Sequence, residues 1–141
     1  MVIMISKEDL EILIKVANMA RKCKFFTFSE RMFQCFNYAY PLMAFPHIGL
    51  GMTFFETGRY VRACSEFEAA MQLGGENKNV YFAYGLCQMA FGNYKKSVEA
   101  LHHAMNIDKD DGGSNIMESA NDLLALPELK RLHQSYLNGD R

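Results

Sequence analysis

The chain repeats itself at a fixed offset of 34 residues. Gly51 and Gly85 stand 34 apart, as do Gly58 and Gly92, Tyr60 and Tyr94, and Ala70 and Ala104. At the same offset Phe67 matches Leu101, Ala63 matches Ser97, and His47 matches Tyr81. A period of this length describes one small unit stacked on copies of itself, because a unit so short cannot bury its apolar face alone.

Inside each copy the spacing is helical. His47, Leu50, Gly51 and Phe54 recur at i, i+3, i+4 and i+7, one face of a helix. Gly58 follows, a residue that accepts the left-handed conformation common at helix C-termini. Tyr60, Ala63, Phe67 and Ala70 then line a second helix, and the small residues Gly51, Ala63 and Ala70 predict close helix approach. The next copy runs through Tyr81, Tyr84 and Gly85, turns at Gly92, and continues with Tyr94, Ser97, Leu101 and Ala104. Gln88 departs from it, standing where an apolar residue is usual.

This order of a large residue, Leu-Gly, an aromatic, Gly-x-Tyr, Ala, an aromatic and Ala resembles the tetratricopeptide signature, most fully over residues 44–111. The expected fold is therefore all-α: a stack of tetratricopeptide helical hairpins forming one domain over residues 1–141. Its repeats are expected at about 10–43, 44–77 and 78–111, with capping helices over 114–125 and 127–138. Pro127 suits a first helical turn. The first repeat is degenerate. Leu13, Val16, Ala17 and Ala20 fit its first helix, Phe33 and Phe36 its second, and Lys24 replaces the turn glycine. Thr27 and Glu30 predict a capping box at the start of that second helix.

Composition excludes several functions. The 15 basic and 16 acidic residues leave a formal charge of -1, which predicts no strong attraction to nucleic acid or membrane surfaces. Lys7, Glu8 and Asp9 interrupt the N-terminal apolar stretch, so it does not read as a secretory signal. No apolar run approaches the roughly 20 residues that span a bilayer, so stable membrane insertion is not expected and the placement is cytosolic. Cys23, Cys35, Cys64 and Cys87 form no C-x-x-C pair and are expected to be reduced, buried small hydrophobes.

Chemistry has few residues to stand on. His102 and His103 are expected to face solvent, with Glu99 and His103 as a surface ion pair. Asp108 to Asn115 partly matches a calcium loop, but Gly112 occupies position 5 and Ser119 stands where a bidentate Glu is needed, so a solvated loop is expected. No P-loop, dinucleotide glycine motif or Ser-His-Asp arrangement is present. Neither an enzyme nor a cofactor is predicted.

Binding is the remaining function. In such a stack the first helix of each pair lines the concave side, and the residues one step round from the packing face point into it. Here these are Phe45, Ile48, Met52 and Phe55 in one repeat and Phe82, Leu86 and Met89 in the next, with Ile14 and Asn18 extending the row. The row is almost wholly apolar, which predicts a groove for an apolar segment, or alternatively core or dimer contact. Ten methionines add adaptable side chains. Tetratricopeptide clamps that hold a C-terminal carboxylate use polar or basic residues where this chain has Ile14, Gly49 and Ala83, and only Asn18 fits.

The length, the three-repeat frame, and the stretch NVYFAYGLCQMAFGNYKKSVEALHHAMNID with its Gly85, Cys87, Gly92 and Tyr94 resemble the class II chaperones of bacterial type III secretion. That resemblance implies a bacterial cytosolic chaperone holding a secreted hydrophobic client, either a translocator or a membrane-inserting effector. It also implies a possible homodimer through the N-terminal region, where Phe25, Phe26 and Phe28 lie. The alternative is a tetratricopeptide scaffold that bridges two proteins.

Overall fold

A computed structural model describes residues 5–75, 77–110 and 115–139. Among these residues eight helices follow in order: α1 (Lys7–Lys22), α2 (Phe26–Ala39), α3 (Phe45–Glu56), α4 (Tyr60–Gln72), α5 (Lys78–Ala90), α6 (Tyr94–Asp110), α7 (Asn115–Leu124) and α8 (Pro127–Leu137). No strand occurs among the described residues. Local chemistry sets the helix starts. Ser6 Oγ accepts the Asp9 amide at 3.1 Å, and α1 carries Glu8 and Asp9 in its first turn and Arg21 and Lys22 in its last, matching the helix dipole. Asn77 Oδ1 caps α5 by accepting the Asn79 amide at 2.8 Å. Proline opens both α3 and α8.

Three turns, those within the helical hairpins, share one geometry. The amides of Phe25, Arg59 and Asn93 donate to the carbonyls of Ala20, Phe54 and Gln88 at 2.8, 2.8 and 2.9 Å. Each bond reaches across a residue with positive φ: Lys24 at 67°, Gly58 at 77° and Gly92 at 79°. Lys24 thus adopts the left-handed conformation in spite of its side chain, and the first hairpin closes like the others.

Glycine lets α3 sit close to a helix on either side. A Cβ on Gly51 would lie 2.5 Å from the Phe67 ring on α4, and one on Gly49 would lie 2.2 Å from the Phe33 ring on α2. The helix has no Asp, Glu, Lys or Arg before Glu56, as an element with apolar residues on most of its faces requires. In the next pair Gly85 approaches Leu101, and the buried Ser97 Oγ donates to the Gly85 carbonyl at 2.8 Å. Gln88, although buried, is satisfied: its Oε1 accepts from Asn93 Nδ2 at 2.9 Å, and its Nε2 points to Cys64 Sγ at 3.7 Å.

Two cores result. One joins α1 to α5 around Ala17, Phe33, Phe36, Leu50, Phe54, Phe67 and Val80. The other joins α6, α7 and α8 around Val98, Leu101, Ala120, Leu124 and Leu129.

Several expectations need correcting. Thr27 and Glu30 form no capping box. The tight turn starts α2 at Phe26, which leaves Phe25 at the N-cap with no side-chain cap. Glu30 instead takes a two-pronged bond from Arg59, at 3.2 and 2.9 Å, a stronger use of a carboxylate than a cap. Val16 turns outward and is 41% exposed. Only Cys64 and Cys87 are buried, because Cys23 and Cys35 fall on exposed turns of their elements; all four are free thiols. The acidic run is not simply a loop. Asp108 to Asp110 continue α6, and residues 111–114 lie outside the described residues.

Candidate functional site

The predicted row occupies one side of α3 and α5, and every member is half-buried. Phe45, Ile48, Met52 and Phe55 rest against the first core, beside Leu13 and Ile14 of α1. Phe82 and Met89 rest against the second core. Leu86, also half-buried, belongs to neither cluster. The neighbouring positions Leu50, Gly51 and Phe54 on α3, and Ala83, Gly85 and Cys87 on α5, are buried. Each helix therefore separates a fully packed face from a partly covered apolar one, and the two partly covered strips lean on different cores.

Polar groups fix the edges of these helices. His47 Nδ1 lies 2.6 Å from Glu66 Oε2, tying α3 to α4. Tyr84 donates its hydroxyl to Glu68 at 3.1 Å, and burial together with that carboxylate pushes the phenol up to about 12, so it stays a donor. Its hydrogen bond to Cys64, reinforced by burial, pushes the Cys87 thiol far up, so it remains protonated and unreactive. Asn18 spends its amide on the Ile14 carbonyl of its own helix at 3.2 Å. With Gly49 and Ala83 buried, nothing here matches a carboxylate clamp.

Sequence reasoning missed two clusters at the C-terminal end. Asp108 is 0% exposed; it accepts from Lys78 Nζ at 2.8 Å and from the Met117 amide at 3.1 Å. One carboxylate so joins the start of α5, the end of α6 and the first turn of α7. The signal was the repeat itself: Asp108 falls 34 residues after Gly74, the glycine that ends the previous second helix, so its loss marked a longer α6. His102 is half-covered rather than turned to solvent. Its Nε2 lies 3.0 Å from His133 Nδ1 of α8, and its ring stacks on Tyr136 with centroids 4.2 Å apart. Burial, then the neighbouring His133 and His103, hold the His102 imidazole below its usual range. His103 is exposed but stacks on Tyr81 at 5.1 Å, and no ion pair with Glu99 forms among the described residues. No group of three or more metal-ligating side chains occurs there either.

By sequence, no family model and no curated protein matches the chain. By fold, solved structures do. The chain superposes on PcrH in complex with the chaperone binding region of PopD with a TM-score of 0.78, covering 96% of this chain and 99% of that one at 14% identity. These are repeats of one fold. This chain is a tetratricopeptide-repeat stack. The Yersinia enterocolitica type III secretion chaperone SycD, in complex with a peptide of the translocator YopD, aligns with a TM-score of 0.73 at 15% identity, covering 93% and 97% of the two chains. The first tetratricopeptide domain of Spaghetti (RPAP3), bound to an HSP90 peptide, aligns with a TM-score of 0.71 at 13% identity, covering 94% and 97%. Stacks of this fold thus hold a segment of PopD, a peptide of YopD and an HSP90 peptide, and the fold alone does not choose among such partners.

Proposed function

We propose that the chain is a chaperone of the type III secretion kind, holding an extended apolar segment of a secreted, hydrophobic client along α3 and α5. The observation that carries this is the row Phe45, Ile48, Met52, Phe55, Phe82, Leu86 and Met89, apolar throughout and only half covered. One of the similar structures holds a peptide of the translocator YopD and another the chaperone binding region of PopD, which supports a client of the same class, a translocator or membrane-inserting effector. The carboxylate-clamp alternative lacks its polar residues. No helix among the described residues is long and apolar enough to cross a membrane, as suits a protein that keeps such a client from the bilayer in the bacterial cytoplasm.

Three apolar anchors contribute about 1.5–3 kcal/mol each on burial. Ordering an extended peptide offsets much of that, which leaves roughly micromolar affinity for a short segment. The full client should therefore bind far more tightly than a single-anchor peptide. Co-expression with the products of neighbouring genes tests the reading: a hydrophobic product should become soluble and co-purify. If none does, or if the chain stays in a finished assembly as a bridging subunit, the reading fails in favour of a scaffold.

A further inference from the structure

The turn between α1 and α2 carries residues that the matching turns within the other two hairpins do not. At the 34-residue offset Phe25 corresponds to Arg59 and Asn93, and Phe28 to Arg62 and Lys96. The fold therefore asks for polar residues at these two places. Here they are phenylalanines, 66% and 53% exposed. Lys24 occupies the left-handed position where the others have Gly58 and Gly92, a strained choice for an exposed side chain.

Charge surrounds the two rings. Lys22, Lys24 and Arg31 are all exposed, and among the described residues no carboxylate pairs with them. Glu30, the one acid in this stretch, is held by Arg59, and Arg21 is neutralised by Glu56. Lys24, Phe25, Phe26, Thr27, Phe28 and Arg31 enclose a shallow hollow of about 420 Å³. A chain of formal charge -1 thus presents one compact tip that is cationic and aromatic.

We infer that this tip docks on the headgroup region of an anionic lipid bilayer, with Phe25 and Phe28 entering the interface and Lys22, Lys24 and Arg31 meeting lipid phosphates. Exposed aromatics ringed by basic residues suit that boundary, where rings bury and cations stay with anionic headgroups. A protein partner fits less well. Two rings bury at most about 150–250 Å² each, short of the roughly 800 Å² per side of a stable protein interface. Docking is peripheral, since no described helix can span the bilayer. It is independent of the client row, which lies on α3 and α5.

The test is flotation of the full chain with vesicles of phosphatidylcholine containing about 30 mol % phosphatidylserine, against pure phosphatidylcholine. Binding is expected to the anionic vesicles only, weakening at least about tenfold as salt rises toward ~0.3 M. The double variant Phe25→Asn with Phe28→Lys installs the residues of the third turn and adds positive charge. It should still lose at least about tenfold in binding, because the rings are gone. Lys24→Gly with Arg31→Ser, the residues of the second turn, should lose both affinity and salt dependence. Circular dichroism confirms that each variant folds. Equal binding to neutral vesicles, no binding to either kind, or wild-type binding by the ring variant overturns the inference. So does sedimentation equilibrium in which the ring variant dissolves a dimer while vesicles bind nothing, which would make the tip a contact between two copies.

Discussion

The two ends of the molecule are held together by different means. From α1 to α5 the packing is chiefly steric and repeats itself, with the ion pairs Arg21–Glu56 and Glu30–Arg59 and the His47–Glu66 contact at its edges: Gly49 receives the Phe33 ring and Gly51 receives Phe67, within a core of phenylalanines. From α6 to α8 a smaller aliphatic core is joined by polar contacts that occur once each, Asp108 with Lys78 and Met117, and His102 with His133. The contrast teaches where cooperativity comes from. Shape complementarity propagates down a stack, whereas the closing helices depend on individual bonds at its end.

Mutations can break that comparison. Phe67→Ala should have the largest effect, about 3–5 kcal/mol by denaturant titration, because a fully buried ring leaves a cavity that Gly51 cannot fill. Asp108→Ala should cost about 2–3 kcal/mol, leaving Lys78 without this carboxylate and the Met117 amide without its acceptor. Hydrogen exchange should show α7 and α8 opening first in that variant, with α1 to α4 unchanged. An even loss of protection would erase the distinction drawn between the ends.

Turn residues give smaller effects of opposite sign. Gly58→Ala, at φ 77°, should destabilise by about 1 kcal/mol, while Lys24→Gly, at φ 67°, should stabilise by about 0.5–1 kcal/mol. Melting curves check both, and a loss on Lys24→Gly would mean the lysine makes a contact in the fold. The smallest effect is confined to acid. Because the folded His102 titrates below its ordinary value, the unfolded chain binds more protons as pH falls. Stability should be full above about pH 6.5 and decline as pH drops from there toward the lowered folded value. His102→Gln should flatten that decline.

Much of this was legible in the period. Gly51, Ala63, Phe67 and Ala70 are buried where the offset put them, and Gly58 and Gly92 take the left-handed turns. Even Lys24 follows the frame, because the hydrogen bond from Phe25 to Ala20 imposes the turn whatever side chain stands there. What escaped was whatever the repeat does not repeat. Glu30 has a local partner in sequence, Thr27, and a better one 29 residues away, Arg59. His102 looked solvent-facing because its helix pattern is polar there, yet α8 returns to cover it. The apolar row was legible as a half-covered strip, but its division between two cores was not, since that depends on where α6 to α8 pack.

If this row holds the client, Leu86 is the place to test it, being half-buried yet part of neither core. The measurement is client retention by Leu86→Glu on co-purification, read beside helicity and melting temperature, with Met52→Glu as its companion on α3. The client should be lost while helicity and melting stay those of the parent. Full retention of the client by both variants, or loss only together with unfolding, would contradict it.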